Sequence, residues 1–147
     1  MLAVRRWTFA TGELGAASEA LAHEVAAFAV RVAIIEPGVI QTAIFENSAG
    51  ATRYDKNSPY RQIMRRNGKL FAAGFRNPGR AETVAEVIWE AVTTDRPRLR
   101  WLVGADAEGL AAGRARISDE DWVAMGAGLE DAEYNARFKR YFGIELI

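Results

Sequence analysis

The sequence predicts an α/β protein: a small parallel sheet of about two strands, flanked by helices. Three stretches predict it. Val30 to Thr42 reads VRVAIIEPGVIQT, with four β-branched residues in its first six, and then meets Pro37-Gly38. That is the pattern of a buried strand ending in a tight turn. A helical repeat runs into it after a very short connection, the joint typical of a parallel sheet. A second apolar run, Leu99 to Val103, follows another helical segment and stops at Gly104.

The elements follow in chain order. Residues 1–10 are irregular, with apolar Val4, Trp7 and Phe9 around Arg5 and Arg6, and are expected as a short strand or a frayed helix start. From Gly12 to Phe28, Leu14, Ala17, Leu21, Val25 and Phe28 recur at steps of three and four, one stripe to be buried on the sheet. Alanines 16, 20 and 27 offer a second, closely packing face for a subunit contact. The strand at 30–36 is apolar enough for burial on both faces. Residues 43–78 form a long insertion, in which Ser58 to Phe75 reads as a helix starting at Pro59. An insertion of this size is more often functional than a plain connection. Asn77-Pro78-Gly79 punctuates it. Arg80 to Val92 is a helix with Ala81, Val84, Ala85, Ile88 and Trp89 inward, and Asp95 to Pro97 turn the chain into the strand at 99–103. After a linker, Ser118 opens a helix with Asp121 three residues on, a variant of the capping box. A last helix, about Asp131 to Phe142, closes at Gly143.

Composition narrows the function classes. The 147 residues are half hydrophobic, enough for a single domain with a modest core. Nineteen basic and nineteen acidic residues cancel, which argues against nucleic acid or an anionic membrane as a bulk electrostatic partner. With no cysteine, disulfides and thiolate chemistry are excluded. No run reaches the roughly 18 apolar residues of a membrane span, and a cytoplasmic protein is expected.

The segments SEALAHEVAAFAVRVAIIEPGVIQT, NPGRAETVAEVIWEAV and RLRWLVG together resemble the second half of the short-chain dehydrogenase/reductase family. Helix, strand and Pro-Gly turn come in that family's order, and Thr42 completes its PGxxxT pattern. The likeness spans roughly residues 7–105, with a less distinctive helical tail at 106–147. It implies a partial Rossmann-like fold, with 43–78 as the variable substrate loop. It also implies that Pro37, Gly38 and Thr42 shape the nicotinamide pocket and hold the carboxamide. Two departures accompany it. The family's TGxxxGxG cofactor loop and the strands that carry it are absent from these residues. Counting back from Pro37, the family's catalytic Tyr falls on Trp7 and its Lys on Thr11, and neither side chain supplies the proton donor or the cation. The first tyrosine is Tyr54 and the first lysine Lys56.

The expectation is therefore a truncated reductase-like protein without NAD(P)-dependent redox activity of its own, a binding or oligomerisation module. No cofactor is expected, and NAD(P) only if the missing half is supplied. A homodimer or higher oligomer would cover the open strand edge and the helix at 12–28. Two alternatives stand beside it. One is a hydrolase of a small apolar ester or lactone, with His23 or Glu19, four residues apart on one helix face, as base. Its pocket would be lined by Phe45, Tyr54, Tyr60, Met64 and Phe71. The other is a residual NAD(P)-dependent oxidoreductase.

Minor motifs receive plainer readings. Thr11 to Gly15, TGELG, is superficially a phosphate loop but reads better as residues of a helix start. The acidic groups at 118–121 and 130–133 are helix-start charges rather than a calcium site, and no metal is expected. The basic residues Arg61, Arg65, Arg66, Lys69 and Arg76 read as a solvated helix face before an anion site.

Overall fold

The computed structural model describes residues 2–44, 47, 55, 57–96 and 98–147, with the backbone alone for residues 2–12. The order of elements is α1 (Leu2–Val25), a 3-10 turn (Ala26–Phe28), β1 (Ile34–Pro37), α2 (Arg61–Gly74), α3 (Ala81–Thr93), β2 (Arg100–Val103), α4 (Ala105–Arg116), α5 (Asp119–Met125) and α6 (Asp131–Phe142). The mixed α/β class and the small parallel sheet are as expected: β1 and β2 pair, with Ile34 N–H donating to Leu99 O and Gly38 N–H to Val103 O. The chain divides into two compact units. The first holds residues 1–36, 42–54 and 82–101, the second residues 37–41, 55–81 and 102–147.

In the first unit, α1 begins at Leu2, so of the two expectations for this stretch the helix start holds and the short strand does not. Nothing from Leu2 to Thr11 breaks a helix, and Gly12 and Gly15 cost only about 1 kcal/mol each in its interior. The helix tightens at Ala26–Phe28 and stops at Ala29, which takes the left-handed conformation at φ 58°. The strand starts four residues later than its apolar run. Ile34 meets Leu99, and the turn before Leu99 leaves residues 30–33 nothing to pair with. Arg31 instead donates to Thr94 O and to Val92 O (3.0 Å), satisfying carbonyls at the end of α3. Trp101 is buried, its indole N–H on Arg98 O at 3.2 Å and the Arg98 guanidinium 4.5 Å over its ring.

The stripes expected inward on α1 and α3 face outward. Leu14 is 69% exposed, Phe28 78% and Trp89 71%, with Leu21, Ile88 and Val92 exposed beside them. Burial on both faces, expected of the first strand, also fails, for β1 is half-buried; β2 alternates, with Trp101 and Val103 in and Arg100 and Leu102 out. Two strands have too little surface to cover these helix faces, and no described element lies on them.

The second unit carries a cluster of Ile117, Met125, Phe138, Phe142 and Leu146, flanked by Leu70, Leu110, Tyr134, Tyr141 and Ile144. Residues 105–116, read as a linker, are helix α4, packed on α6. Its closest approach to α6 is through glycine, with Leu110 beside it: a Cβ at Gly109 would lie 2.7 Å from Phe142 O, and one at Gly113 2.7 Å from Tyr141 O. A hydrophobic-periodicity reading cannot see such a face. The Ser118 cap holds, its Oγ accepting the Asp121 N–H at 3.0 Å, and α6 ends at left-handed Gly143. Helix α2 starts at Arg61 rather than Pro59, because Ser58 Oγ accepts the Tyr60 N–H and Ser58 O accepts the Arg61 N–H in a turn ahead of it.

Candidate functional site

The most constrained backbone with chemical potential is the turn Pro37–Gln41, in the second unit. Pro37 has no N–H to place. Gly38 N–H goes to Val103 O at 2.9 Å, continuing the sheet. Val39 N–H donates to Asp106 Oδ2 at 2.6 Å, a charge-assisted bond. Val39 O accepts from Gly79 N–H (2.8 Å) and Gln41 N–H donates to Gly79 O (2.9 Å), so Ile40 and Gly79 form a parallel bridge. In such a bridge the residues before and after Ile40 make the bonds, and the N–H and C=O of Ile40 itself face the opposite edge.

Glycines make this packing possible. A Cβ on Gly38 would fall inside the Asp106 carboxylate, one on Gly74 would overlap Val39, and one on Gly79 would lie 2.6 Å from Ile40 Cδ1. Gly104, at φ 105°, precedes α4, and its Cβ would sit 2.8 Å from Asp106 Oδ1. Asp106 lay inside the stretch read as a linker. An Asp two residues beyond a strand-ending glycine, at the head of a helix, was the signal available. Thr42, the third residue of the motif, is exposed and belongs to the first unit.

His23 is exposed in the last turn of α1. Its expected partner Glu19 is held instead by Arg100, with Oε1 2.6 Å from Nη2, while the other guanidinium nitrogen binds Glu36. The hydrogen bond that Arg100 donates to Glu19 holds its guanidinium above its usual pKa; partial burial opposes this, and the charges of Glu36 and Glu19 add to it. Among the described residues no group of three or more His, Asp or Glu is arranged to hold a metal ion. TGELG lies inside α1, neither a loop nor a helix start, where helix bonding uses its N–H groups.

Of the expected pocket residues, Tyr60 and Met64 are half-buried and Phe71 is exposed, while Phe45 and Tyr54 fall outside the described residues. A cavity of about 260 Å³ is lined by Asn135, Ala136, Lys139, Glu145 and Leu146, none of them in that set.

The basic face of α2 is not simply solvated, for Arg66 is buried at 4% exposure. Its guanidinium stacks 4.0 Å over the Tyr134 ring and donates to Leu129 O, which also accepts from Gln62 Nε2 at 2.9 Å. Arg65 Nη2 reaches Asp131 Oδ2 at 2.6 Å, and Arg66 Nε and Lys69 Nζ lie 3.5 and 4.0 Å from the same carboxylate. Burial would raise the Asp131 pKa, but the hydrogen bond and charge of Arg65, with Gln62 and Lys69, outweigh it and hold the carboxyl below its usual range. Burial pushes the Tyr134 phenol up, against the weaker opposing charge of Arg66. Three of the six helix-start acids form ion pairs: Asp119 with Arg114, Asp131 with α2, and Glu133 with Arg137 at 2.6 Å.

No family model matches the chain, and no solved structure matches it. It is similar to a protein named oxidoreductase BOA17 from Botryotinia fuckeliana (strain B05.10), 30% identical over 117 residues, a match covering 74% of this chain and 40% of that protein. The match supports oxidoreductase ancestry. The chain thus spans well under half the length of the curated relative it matches. No helix among the described residues is long and apolar enough to cross a membrane.

Proposed function

We propose that these 147 residues form a module of short-chain dehydrogenase/reductase descent that transfers no hydride unaided and works by associating with itself. The exposed apolar faces of α1 and α3 carry this reading. Leu14, Leu21 and Phe28 on one side, and Ile88, Trp89 and Val92 on the other, are spaced as core stripes yet face solvent. Large apolar side chains left at the surface in such a pattern mark an interaction site where they join into a patch. Trp7 and Thr11, at the positions the resemblance gives to the proton donor and its lysine, support the absence of unaided turnover. Purified protein incubated with NADPH and a panel of aldehydes and ketones should consume no NADPH above the rate without protein. Measurable turnover would sink the proposal, and a stable folded monomer in sedimentation at micromolar concentration would remove its associative half.

A second reading, a residual NAD(P)-dependent oxidoreductase, is favoured by the likeness to oxidoreductase BOA17 and by the Ile40 edge. One N–H and one C=O on the same residue match the acceptor and donor of a primary amide such as the nicotinamide carboxamide. The fit is confined to that end of the cofactor, since TGELG lies within a helix and offers no phosphate cradle. When bound, the cofactor would supply the hydride. The protein's own part here is to orient the amide through Ile40, and titration of NADPH fluorescence separates the two readings.

A further inference from the structure

We propose that Asp106 is the positioning residue of the Ile40 edge, fixing through its carboxylate the backbone that would meet a ligand amide. The proposal rests on Ile40 being the amide-facing residue.

The carboxylate joins two parts of the fold that are distant in sequence. Oδ1 accepts the Ala107 N–H at 3.0 Å, which ties it into the first turn of α4, where a negative charge is favoured. Oδ2 accepts the Val39 N–H at 2.6 Å, across 67 residues of chain. Val39 is the first residue beyond the sheet ladder, and Gly79 already takes its carbonyl. With the amide anchored as well, both polar groups of Val39 are fixed, and the next peptide, which presents Ile40, inherits that orientation. Three glycines from separate segments, Gly38, Gly74 and Gly104, leave the space this carboxylate occupies or borders; a side chain at Gly38 or Gly104 would displace it. An ordinary surface aspartate needs no such clearance.

The test compares the full chain with D106A, D106N and G38A by ¹⁵N-resolved NMR, with nicotinamide mononucleotide as probe. In the wild type the Val39 amide proton should be shifted downfield and protected from exchange, and the probe should move the Ile40 amide. D106A should lose the Val39 signature, speed exchange at Val39 and weaken the probe response roughly tenfold, the worth of one hydrogen bond to a charged group. Amides of α4 to α6 away from the turn should stay unchanged. D106N, which keeps an acceptor oxygen, should restore the Val39 bond and most of the response. G38A, which drives the carboxylate away from the other side, should reproduce D106A and serves if D106A fails to fold. Unchanged Val39 and Ile40 amides in both D106A and G38A would overturn the proposal, as would a D106N variant no better than D106A. A wild type that ignores the probe defeats the amide reading of Ile40, and exchange at Val39 then decides whether Asp106 holds the turn.

Discussion

Arg66 lies among five basic residues between positions 61 and 76, and it alone of them is buried. Its surroundings explain why: the ring of Tyr134 covers its face, Leu129 O takes one N–H, and Asp131 supplies the opposing charge. Asp131 keeps Arg65 and Lys69, so Arg66→Ala loses the stacking on Tyr134 and the hydrogen bond to Leu129 O, and should destabilise the protein by about 3 kcal/mol. Arg66→Met, which keeps an apolar body over Tyr134, should cost distinctly less. Urea unfolding followed through tyrosine absorbance distinguishes the two, and equal losses would mean that the charge and its hydrogen bond, not packing, hold α2 there. Asp131 adds a pH dependence whose sign follows from its lowered pKa. The unfolded carboxyl titrates near its ordinary value of about 3.9, and the folded one lower. The contribution to stability is therefore complete above that ordinary value and is lost as pH falls through the folded one. Acid unfolding of Asp131→Asn should show a shallower loss of stability over that window than the wild type, with no difference in slope near neutrality.

At the scale of elements, α4 and α6 approach through glycine, and two effects compete at Gly113. Alanine is favoured over glycine in a helix interior by about 1 kcal/mol. The added Cβ would meet Tyr141 O at 2.7 Å and crowd the Phe142 ring, and overpacking of that kind costs about 1–3 kcal/mol. Gly113→Ala should therefore lower the urea midpoint, whereas alanine at Gly68, whose Cβ would meet nothing, should raise it. The same contact explains what the sequence could and could not reveal. Helices α2, α3 and α6 were legible because leucines, isoleucines and aromatics repeat along them. The Ser118 cap and the Gly143 stop were legible because their chemistry is local. Helix α4 was not, since ADAEGLAAGRAR turns its smallest residues toward its neighbour and so carries no apolar stripe. The roles of Arg66 and Asp106 were equally hidden. Each depends on a partner more than sixty residues away, Leu129 O for one and Val39 N–H for the other. The Pro-Gly turn was visible in the sequence, but the carboxylate that holds it was not.

On the scale of the whole molecule, the apolar stripes of α1 and α3 set the expected behaviour in solution. A periodic face spaced for a core but left at the surface is an association or aggregation site unless something covers it. Phe28 and Trp89, both more than two-thirds exposed, are its largest side chains, and burying an aromatic of that size is worth about 1.5–3 kcal/mol. Two such contacts per protomer, repeated by symmetry across an isologous interface, contribute about 6–12 kcal/mol against an association cost of about 4–15 kcal/mol, so a micromolar dimer must bury the neighbouring leucines, isoleucine and valine of the two stripes with them. Trp89→Glu with Phe28→Ser should therefore shift the sedimentation boundary to the monomer and raise solubility, while leaving the far-ultraviolet circular dichroism unchanged. Tryptophan emission gives an independent reading with Phe28 and Trp89 intact. Trp101 is buried and Trp122 packs edge-on against Phe142 within the chain, whereas Trp89 is 71% exposed, so in a Trp7→Phe background dilution should redden the spectrum in step with the loss of sedimenting dimer. Emission that stays constant through dilution, with a boundary indifferent to both substitutions, would mean that copies of this chain do not meet through these helices.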